Sequence, residues 1–169
     1  MRKGWIGLVL GLAAIGSARG LEVGAAAPDF SAQATGGKTV TLAERRGEWV
    51  VLFFYPRSFT GGCTAQACSL RDGYEGIQAL GATILGVSTD AIERQERFRE
   101  EHRLPFDLIA DVDGEVARRY GVLVAGGRMA RRVTFLINPD GRIAQVIDRV
   151  RTGTHEAQVR EALEALRTE

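Results

Sequence analysis

Two cysteines, Cys63 and Cys68, are the only thiols in this chain of 169 residues. They lie in the stretch FFYPRSFTGGCTAQACSLRD, residues 53–72. Its first three residues are the end of an apolar run that stops at Tyr55, and the cysteines follow that run. Together with Pro56 and Thr60, the first cysteine forms the pattern P-x-x-x-T-x-x-C. Two thiols in one short segment suit redox chemistry, in which one sulfur attacks as a thiolate and the other exchanges with it.

The position of Cys63, where an apolar strand passes into a helix, favours the reactive thiolate. The first turn of a helix offers free backbone N–H groups and the positive end of the helix dipole, and both stabilise an anion. Gly61 and Gly62 let the backbone approach the sulfur closely, and Thr60 supplies a hydroxyl for the thiolate or for a bound oxygen. From the residues alone, the alternative is that Cys63 is a small buried hydrophobic side chain.

The spacing of Cys68 from Cys63 bears on whether the two sulfurs can join. In a helix, two residues five positions apart have Cα atoms about 8–9 Å apart. A disulfide needs a Cα separation below about 7 Å, so the thiols can bridge only if the start of the helix unwinds. This predicts a redox couple rather than a permanent crosslink. A metal site is disfavoured, since the spacing is not C-x-x-C and the only histidines are His102 and His155.

The elements that must position this segment follow from the hydrophobic pattern. The continuous apolar run from Trp49 to Tyr55 predicts a strand buried on both faces, which Pro56 ends. Residues 63–80 predict one helix that ends at Gly81, and residues 82–88 predict a second buried strand. Residues 90–103 predict a charged helix, which begins with Asp90 and Glu93 as a capping box.

The rest of the chain continues the alternation of strands and helices. The predicted elements are an early strand at 38–42 in an otherwise irregular segment 21–47, a strand at 106–110, a helix at 114–120, strands at 132–137 and 142–150, and a helix at 154–167. The turn Asn138-Pro139-Asp140-Gly141 predicts a hairpin between the last two strands. This order predicts an α/β fold in three layers, with a central mixed sheet flanked by helices. A thioredoxin-like architecture fits it, and periodicity alone does not distinguish that from a flavodoxin-like one.

The first twenty residues differ from the rest of the chain. Arg2 and Lys3 precede an apolar run, and small residues follow it, which is the order of a secretory signal peptide. The run, residues 5–15, is shorter than the roughly 20 residues that span a bilayer, although an uncleaved interfacial anchor is an alternative. We therefore expect a signal peptide at 1–20, a domain at 21–169, export to a bacterial periplasm and no stable membrane insertion after cleavage. The net charge of +1 without charged blocks argues against a nucleic-acid partner.

Five segments together resemble a known family. They are APDF, FFYPRSFTGGCTAQACSLRD, LGATILGVSTD, LPFDLIADVDGEVARRYGV and RVTFLINPDG. The chain resembles the peroxiredoxins over about residues 22–167, and the peroxiredoxin Q (bacterioferritin comigratory protein) subgroup most closely. The P-x-x-x-T-x-x-C pattern followed by a cysteine five residues later is specific to that subgroup. The resemblance implies a thioredoxin-like fold and a thiol-dependent peroxidase.

The resemblance also assigns roles to individual residues. It implies that Cys63 is the peroxidatic cysteine, that Cys68 is the resolving cysteine, that Pro56 shields the thiolate and that Thr60 hydrogen-bonds the peroxide. A later arginine pairs with the thiolate in this family, and the segment RVTFLI assigns it to Arg132. Its neighbour Arg131 is expected to point to the other face, because strand side chains alternate.

The same resemblance implies the reaction and its partners. The substrates would be hydrogen peroxide and organic hydroperoxides, and the product an intramolecular disulfide that a thioredoxin-like dithiol protein reduces. No metal, flavin or haem is required, and the protein would be a monomer or a weak dimer. Two rival functions remain on the same fold. An exported thiol–disulfide oxidoreductase would need C-x-x-C, and a copper-delivery protein would need C-x-x-x-C with His155 as a third ligand.

Overall fold

A computed structural model describes residues 21–168, so the predicted leader at residues 1–20 lies outside the described residues. The strands are β1 Ser31–Ala34, β2 Lys38–Thr41, β3 Trp49–Phe54, β4 Ala82–Ser88, β5 Asp107–Ala110, β6 Val133–Ile137 and β7 Ile143–Ile147. The helices are α1 Gly61–Asp72, α2 Tyr74–Ala79, α3 Ile92–Glu101, α4 Glu115–Arg119 and α5 His155–Leu166. Two 3-10 turns cover Leu42–Arg45 and Thr152–Thr154.

One mixed sheet joins all seven strands in the order β2-β1-β5-β4-β3-β6-β7. The central strands β5, β4 and β3 are parallel, and β6 runs antiparallel to β3. The predicted hairpin is present, since β6 pairs antiparallel with β7. Because parallel strands end at the same edge of a sheet, the loops after β3 and β4 meet at that edge. This confirms the predicted α/β class with a mixed sheet.

The apolar side chains of β3 alternate between two cores, one on each face of the sheet. Val50, Leu52 and Phe54 belong to the core that α4 covers. Val51 and Phe53 belong to the other core, which also contains side chains of α1, α2, α3 and α5. The result is three layers, as predicted. The sulfur of Cys63 belongs to this second core.

The single helix predicted for residues 63–80 is wrong. The chain forms α1 and α2 with a break at Gly73, whose N–H caps α1 by donating to the Ser69 carbonyl over 3.2 Å. A Cβ built on Gly73 would lie 2.7 Å from the side chain of Glu156 in α5. The break therefore sits where α5 packs directly on the backbone, and only glycine fits there.

The structure also differs from the sequence prediction at strand β1 and at the start of helix α3. Strand β1 was not predicted, because its residues Ser-Ala-Gln-Ala carry no β-branched or aromatic side chain. The capping box at Asp90 and Glu93 is absent, since Ala91 is the N-cap of α3 and no side chain caps it. The Asp90 carboxylate turns instead to the loop after β3. No helix within residues 21–168 is both long and apolar enough to cross a membrane.

Candidate active site

Cys63 lies in the first turn of α1 and is almost completely buried. The helix begins at Gly61 after the N-cap Thr60, two residues earlier than the sequence predicts. The Cys63 side chain is 1% exposed. Its sulfur accepts a hydrogen bond from Nη2 of Arg132 over 3.2 Å. A thiol in a helix first turn with a guanidinium against it is the setting that stabilises a thiolate.

Arg132 immediately precedes β6, and its guanidinium is held at two points. Nη1 donates to Oε1 of Gln66 over 2.6 Å, while Nη2 faces the sulfur. A Cβ on Gly62 would lie 3.2 Å from Nη2, so the glycine gives the guanidinium room to approach. Arg131 is exposed and donates to the Gly121 carbonyl over 3.0 Å. The structure thus brings Arg132, and not Arg131, to Cys63.

Gln66 is a site residue that the sequence analysis missed. It is fully buried one turn after Cys63 on α1, where residues three apart share a face. Its Oε1 holds Arg132, and its Nε2 is buried without a hydrogen-bond partner among residues 21–168. The one weak sequence signal for it, a polar residue between two alanines, does not by itself indicate a role at the site.

Thr60 and Pro56 lie in the loop that precedes Cys63, and neither forms a hydrogen bond with its sulfur. The exposed Thr60 hydroxyl donates to the carbonyl of Arg57 over 3.0 Å. Pro56 is half-buried directly after the end of β3, where Tyr55 still pairs with β4 through its N–H. Pro56, Thr60 and Cys63 therefore lie in one loop and the helix turn that follows it, and the Thr60 hydroxyl is bound to the backbone of that loop.

A buried polar network fixes the loop between β3 and α1. The Tyr55 hydroxyl donates to Oε1 of Gln95, which also accepts from the Ser58 hydroxyl over 3.2 Å. Burial raises the pKa of Tyr55 above its usual value, so the phenol remains a neutral donor. The Ser58 N–H donates to Asp90 over 2.7 Å, and Arg94 donates to the Ser58 carbonyl over 2.6 Å. These bonds tie the loop to α3.

Phe59 adds a conformational constraint to the same loop. Its φ of 68° lies in the left-handed region, which non-glycine residues seldom adopt. Its ring packs edge-on against Phe98 with centroids 5.1 Å apart, and Arg94 lies 5.2 Å from its centroid. Packing against Phe98 and Arg94 of α3 therefore holds the turn that leads into α1 in an otherwise unfavourable conformation.

A buried histidine lies behind the arginine. Nε2 of His155, at the start of α5, is 2.9 Å from Oγ1 of Thr134 on β6. Burial and, to a lesser extent, the positive charge of Arg132 together lower the pKa of His155 to about 4. At neutral pH the imidazole is uncharged, so it places no second positive charge behind the guanidinium. Its other nitrogen lies 3.1 Å from Gln158.

Cys68 occupies the next turns of the same helix as a free, half-buried thiol. Both cysteines are free, and the helix between them is continuous. His155, the third ligand in the copper-delivery alternative, is engaged with Thr134 and Gln158. Within residues 21–168, no group of three or more histidine, cysteine or acidic side chains is placed to hold a metal ion.

The sequence matches the AhpC/TSA family over residues 23–146. It is 38% identical to "Peroxiredoxin Bcp" of Escherichia coli K12 over 141 residues, which are 80% of this chain and 90% of that protein. It is 37% identical to "Peroxiredoxin Bcp" of Bacillus subtilis over 149 residues, which are 85% of this chain and 95% of that protein.

Solved structures with similar folds are also named as peroxiredoxins or peroxidoxins. A structure of Xanthomonas campestris Peroxiredoxin Q superposes with a TM-score of 0.78 at 31% identity, covering 88% of this chain and 98% of that one. Peroxidoxin BcpB from Mycobacterium tuberculosis superposes with a TM-score of 0.79 at 31% identity, covering 86% and 97%. The similarity therefore includes the sheet, the helices and the segment that carries both cysteines.

Proposed function

This chain belongs to the AhpC/TSA family and is a peroxiredoxin, a thiol-dependent peroxidase, and we propose that Cys63 is the sulfur that attacks the peroxide. The observation that carries the assignment is the 3.2 Å contact between the Arg132 guanidinium and the buried Cys63 sulfur in the first turn of α1. Cys68 lies beyond the first turn of α1 and is only half-buried, and the guanidinium near it, that of Arg71, is paired with Asp72 over 2.8 Å. We propose that it serves as the resolving thiol.

In the first step, the Cys63 thiolate attacks the distal oxygen of hydrogen peroxide or an organic hydroperoxide. The O–O bond breaks, an S–O bond forms, and the leaving oxygen takes a proton to give water or an alcohol. Arg132 and the first-turn N–H groups of α1 stabilise the negative charge as it moves from sulfur to oxygen. The exposed Thr60 hydroxyl turns from the Arg57 carbonyl to the peroxide, and Pro56 limits access of bulk water to the sulfur.

In the second step, the Cys68 thiol condenses with the sulfenic acid on Cys63. A disulfide forms and one water molecule leaves, so the enzyme has passed two electrons to the peroxide. The bond requires unwinding of the start of α1, because helical spacing keeps the two Cα atoms about 8–9 Å apart. A thioredoxin-like dithiol protein then restores both thiols by exchange.

We also propose that the protein works after export. The support is the charged–apolar–small order of residues 1–20, which is the order of a signal peptide. N-terminal sequencing of protein from a periplasmic fraction should begin at Arg19 or Leu21. Recovery of the full-length chain from the cytosol would reject export, and recovery from the membrane would favour an uncleaved anchor.

Mass spectrometry of the reduced protein after one equivalent of hydrogen peroxide tests the assignment of the two thiols. We expect a loss of two mass units and a peptide in which Cys63 is joined to Cys68. The Cys68→Ser variant should gain one oxygen atom on Cys63 that a dimedone-type reagent traps. A first oxidation on Cys68 in the native protein would overturn the proposal.

A further inference from the structure

The chain between β7 and the first turn of α5 lies beside α1. We call this segment, residues 149–156, the brace. At the start of α1, a Cβ built on Gly62 would lie 3.9 Å from the methyl group of Thr152. At the end of α1, the Glu156 N–H donates to the Ser69 hydroxyl over 3.1 Å. The brace therefore contacts the helix that carries both cysteines near each of its ends.

The backbone of Gly62 packs against the brace and against the arginine that faces Cys63. The Cβ built on Gly62 would lie 3.2 Å from Nη2 of Arg132, in addition to its contact with Thr152. The same Nη2 donates to the Cys63 sulfur over 3.2 Å. Because both neighbours meet at one glycine, a shift of the brace would change how the first turn of α1 fits against the guanidinium.

Gln158, in the first turn of α5, fixes the brace through its side-chain amide. Its Oε1 accepts from the Arg151 N–H over 2.7 Å, and its Nε2 donates to the Arg149 carbonyl over 3.0 Å. These two backbone partners determine which end of the amide is the oxygen. Nδ1 of His155 lies 3.1 Å from the same Oε1, so Nδ1 is the nitrogen that carries the proton in the neutral imidazole.

The other ring nitrogen of His155 connects this anchor to the sheet. Because Nδ1 carries the proton, Nε2 accepts a hydrogen bond from the Thr134 hydroxyl over 2.9 Å. Both side chains are fully buried, so a lost partner would leave a polar group unsatisfied in the core. Thr134 follows Arg132 by two positions, and such residues point to the same face of a sheet. The chain of bonds from Gln158 through His155 to Thr134 therefore joins the brace to the strand that positions Arg132.

We propose that His155 and Gln158 are positioning residues of the peroxidase, which hold the brace so that the first turn of α1 stays folded against Arg132. The inference rests on the proposed roles of Cys63 and Cys68 and adds to them the residues that set the balance between the two steps. Attack on the peroxide uses the folded first turn, whereas disulfide formation requires that turn to open. Loosening the brace therefore slows the first step and accelerates the second.

The test measures the two steps separately in the full protein under single-turnover conditions with hydrogen peroxide. Stopped-flow peroxide consumption gives the rate of the first oxidation, and rapid quenching followed by mass spectrometry gives the rate of disulfide formation. In Gln158→Leu, the first oxidation should slow about twofold to fivefold and disulfide formation should accelerate about fivefold, as expected for the loss of roughly one net hydrogen bond. Thr134→Val removes the hydroxyl with little change in side-chain volume and should shift both rates in the same directions.

Two control variants distinguish positioning from a general loss of stability. Thr134→Ser keeps the hydroxyl that binds His155, so it should restore both rates towards their native values. Ile109→Val removes one buried methyl group from the core on the opposite face of the sheet. It should leave the ratio of the two rates at its native value, because it touches neither the brace nor α1.

The outcomes separate this inference from the proposed function. Native rates in either Gln158→Leu or Thr134→Val, or a slowing of both steps, would overturn the positioning role and leave the assignment of the two thiols intact. An equal change of the ratio in Ile109→Val would also overturn it. If Cys63→Ser still consumed hydrogen peroxide, the failure would be that of the proposed function.

Discussion

The Arg132 guanidinium donates a hydrogen bond to the Cys63 sulfur over 3.2 Å, although 69 positions separate the two residues in the sequence. Arg131, the residue before it, donates to the Gly121 carbonyl instead. Two adjacent arginines therefore have different environments, and only one can stabilise charge at the sulfur. This difference allows a matched comparison in which each variant loses one positive charge.

Replacing Arg132 by Met should slow the reaction of Cys63 with peroxide strongly. A hydrogen bond to a charged group is worth about 1.5–3 kcal/mol, which corresponds to a loss of roughly tenfold to a hundredfold in rate. Arg131→Met should react at close to the native rate. Stopped-flow measurement of peroxide consumption under single-turnover conditions gives both values. A larger loss in Arg131→Met would contradict the pairing with Arg132.

Replacing Cys63 and replacing Cys68 should block different steps of the reaction. Cys63→Ser should not consume peroxide, because the nucleophile is missing. Cys68→Ser should consume one equivalent at close to the native rate and then stop as a sulfenic acid, since no thiol is present to form the disulfide. Peroxide consumption and trapping with a dimedone-type reagent measure the two steps separately. Equal loss of the first step in both variants would refute the division of roles.

Gln66 should influence the rate through Arg132 rather than through the peroxide. In Gln66→Leu the guanidinium loses its 2.6 Å anchor, so the first oxidation should slow by about fivefold to tenfold. Gln66→Glu retains an acceptor for Nη1 and should recover part of the orientation. Comparing the kcat and KM of both variants distinguishes positioning from misfolding. If Gln66→Leu reacted at the native rate, Arg132 would not need this anchor.

Burial of neutral His155 should make the free energy of unfolding depend on pH. The pKa of His155 is lowered from 6.5 to about 4 in the folded protein, so the unfolded chain binds more protons between these values. Stability should therefore fall as the pH drops from about 7.5 towards 4, by about 2 kcal/mol at pH 5. Urea unfolding at pH 7.5 and pH 5 measures the difference.

The control for this prediction is a pair of histidine variants. His155→Gln should lack this part of the pH dependence, whereas His102→Gln should keep it because the buried His155 is unchanged in that variant. Burial raises the pKa of Asp111, which acts in the opposite direction, but Asp111 is present in every variant and cancels in the comparison. An unchanged pH dependence in His155→Gln would mean that His155 is already charged in the folded protein at pH 5.

The hydrophobic pattern was sufficient to predict the central sheet and most of the helices. Strand β3 is a continuous apolar run and β4 is largely apolar, and α5 begins within one residue of its predicted start. The break at Gly73 was not predictable, because its cause is the approach of Glu156 from a helix 83 positions further along the chain. Strand β1 was missed for a similar reason, since pairing with β2 and β5 outweighs its weak local preference.

In the candidate site, residues that belong to a local sequence pattern were predictable, and residues that depend on contacts in the folded protein were not. The local pattern P-x-x-x-T-x-x-C led to Pro56, Thr60 and Cys63. Arg132 was found only through resemblance to a family, because an arginine at the start of a strand, taken alone, resembles any solvated charge. Gln66 escaped because its function depends on Arg132, which reaches it only in the folded protein. Residues that act through a distant partner carry little sequence signal of their own.

The last prediction concerns the helix that carries both cysteines. The second half of α1 is fastened to the rest of the protein, because Ser69 accepts from the Glu156 N–H over 3.1 Å and Arg71 donates to the His102 carbonyl over 2.9 Å. The first half begins with two exposed glycines, and its side-chain hydrogen bonds within residues 21–168 are those of Arg132 with Cys63 and Gln66. Disulfide formation removes the thiolate contact and requires the helix to open.

Unwinding on oxidation should therefore start in the first half of α1, with Cys63 moving towards a more stationary Cys68. Amide hydrogen exchange should accelerate across residues 60–72 in the oxidised protein, and most strongly in residues 61–67. The Cys68→Ser variant treated with peroxide is the control, since it is oxidised to a sulfenic acid without forming a disulfide and should keep its protection. Equal protection of this segment in reduced and oxidised native protein would show that the disulfide forms without opening the helix. Faster exchange confined to residues 69–72 would show instead that Cys68 is the thiol that moves.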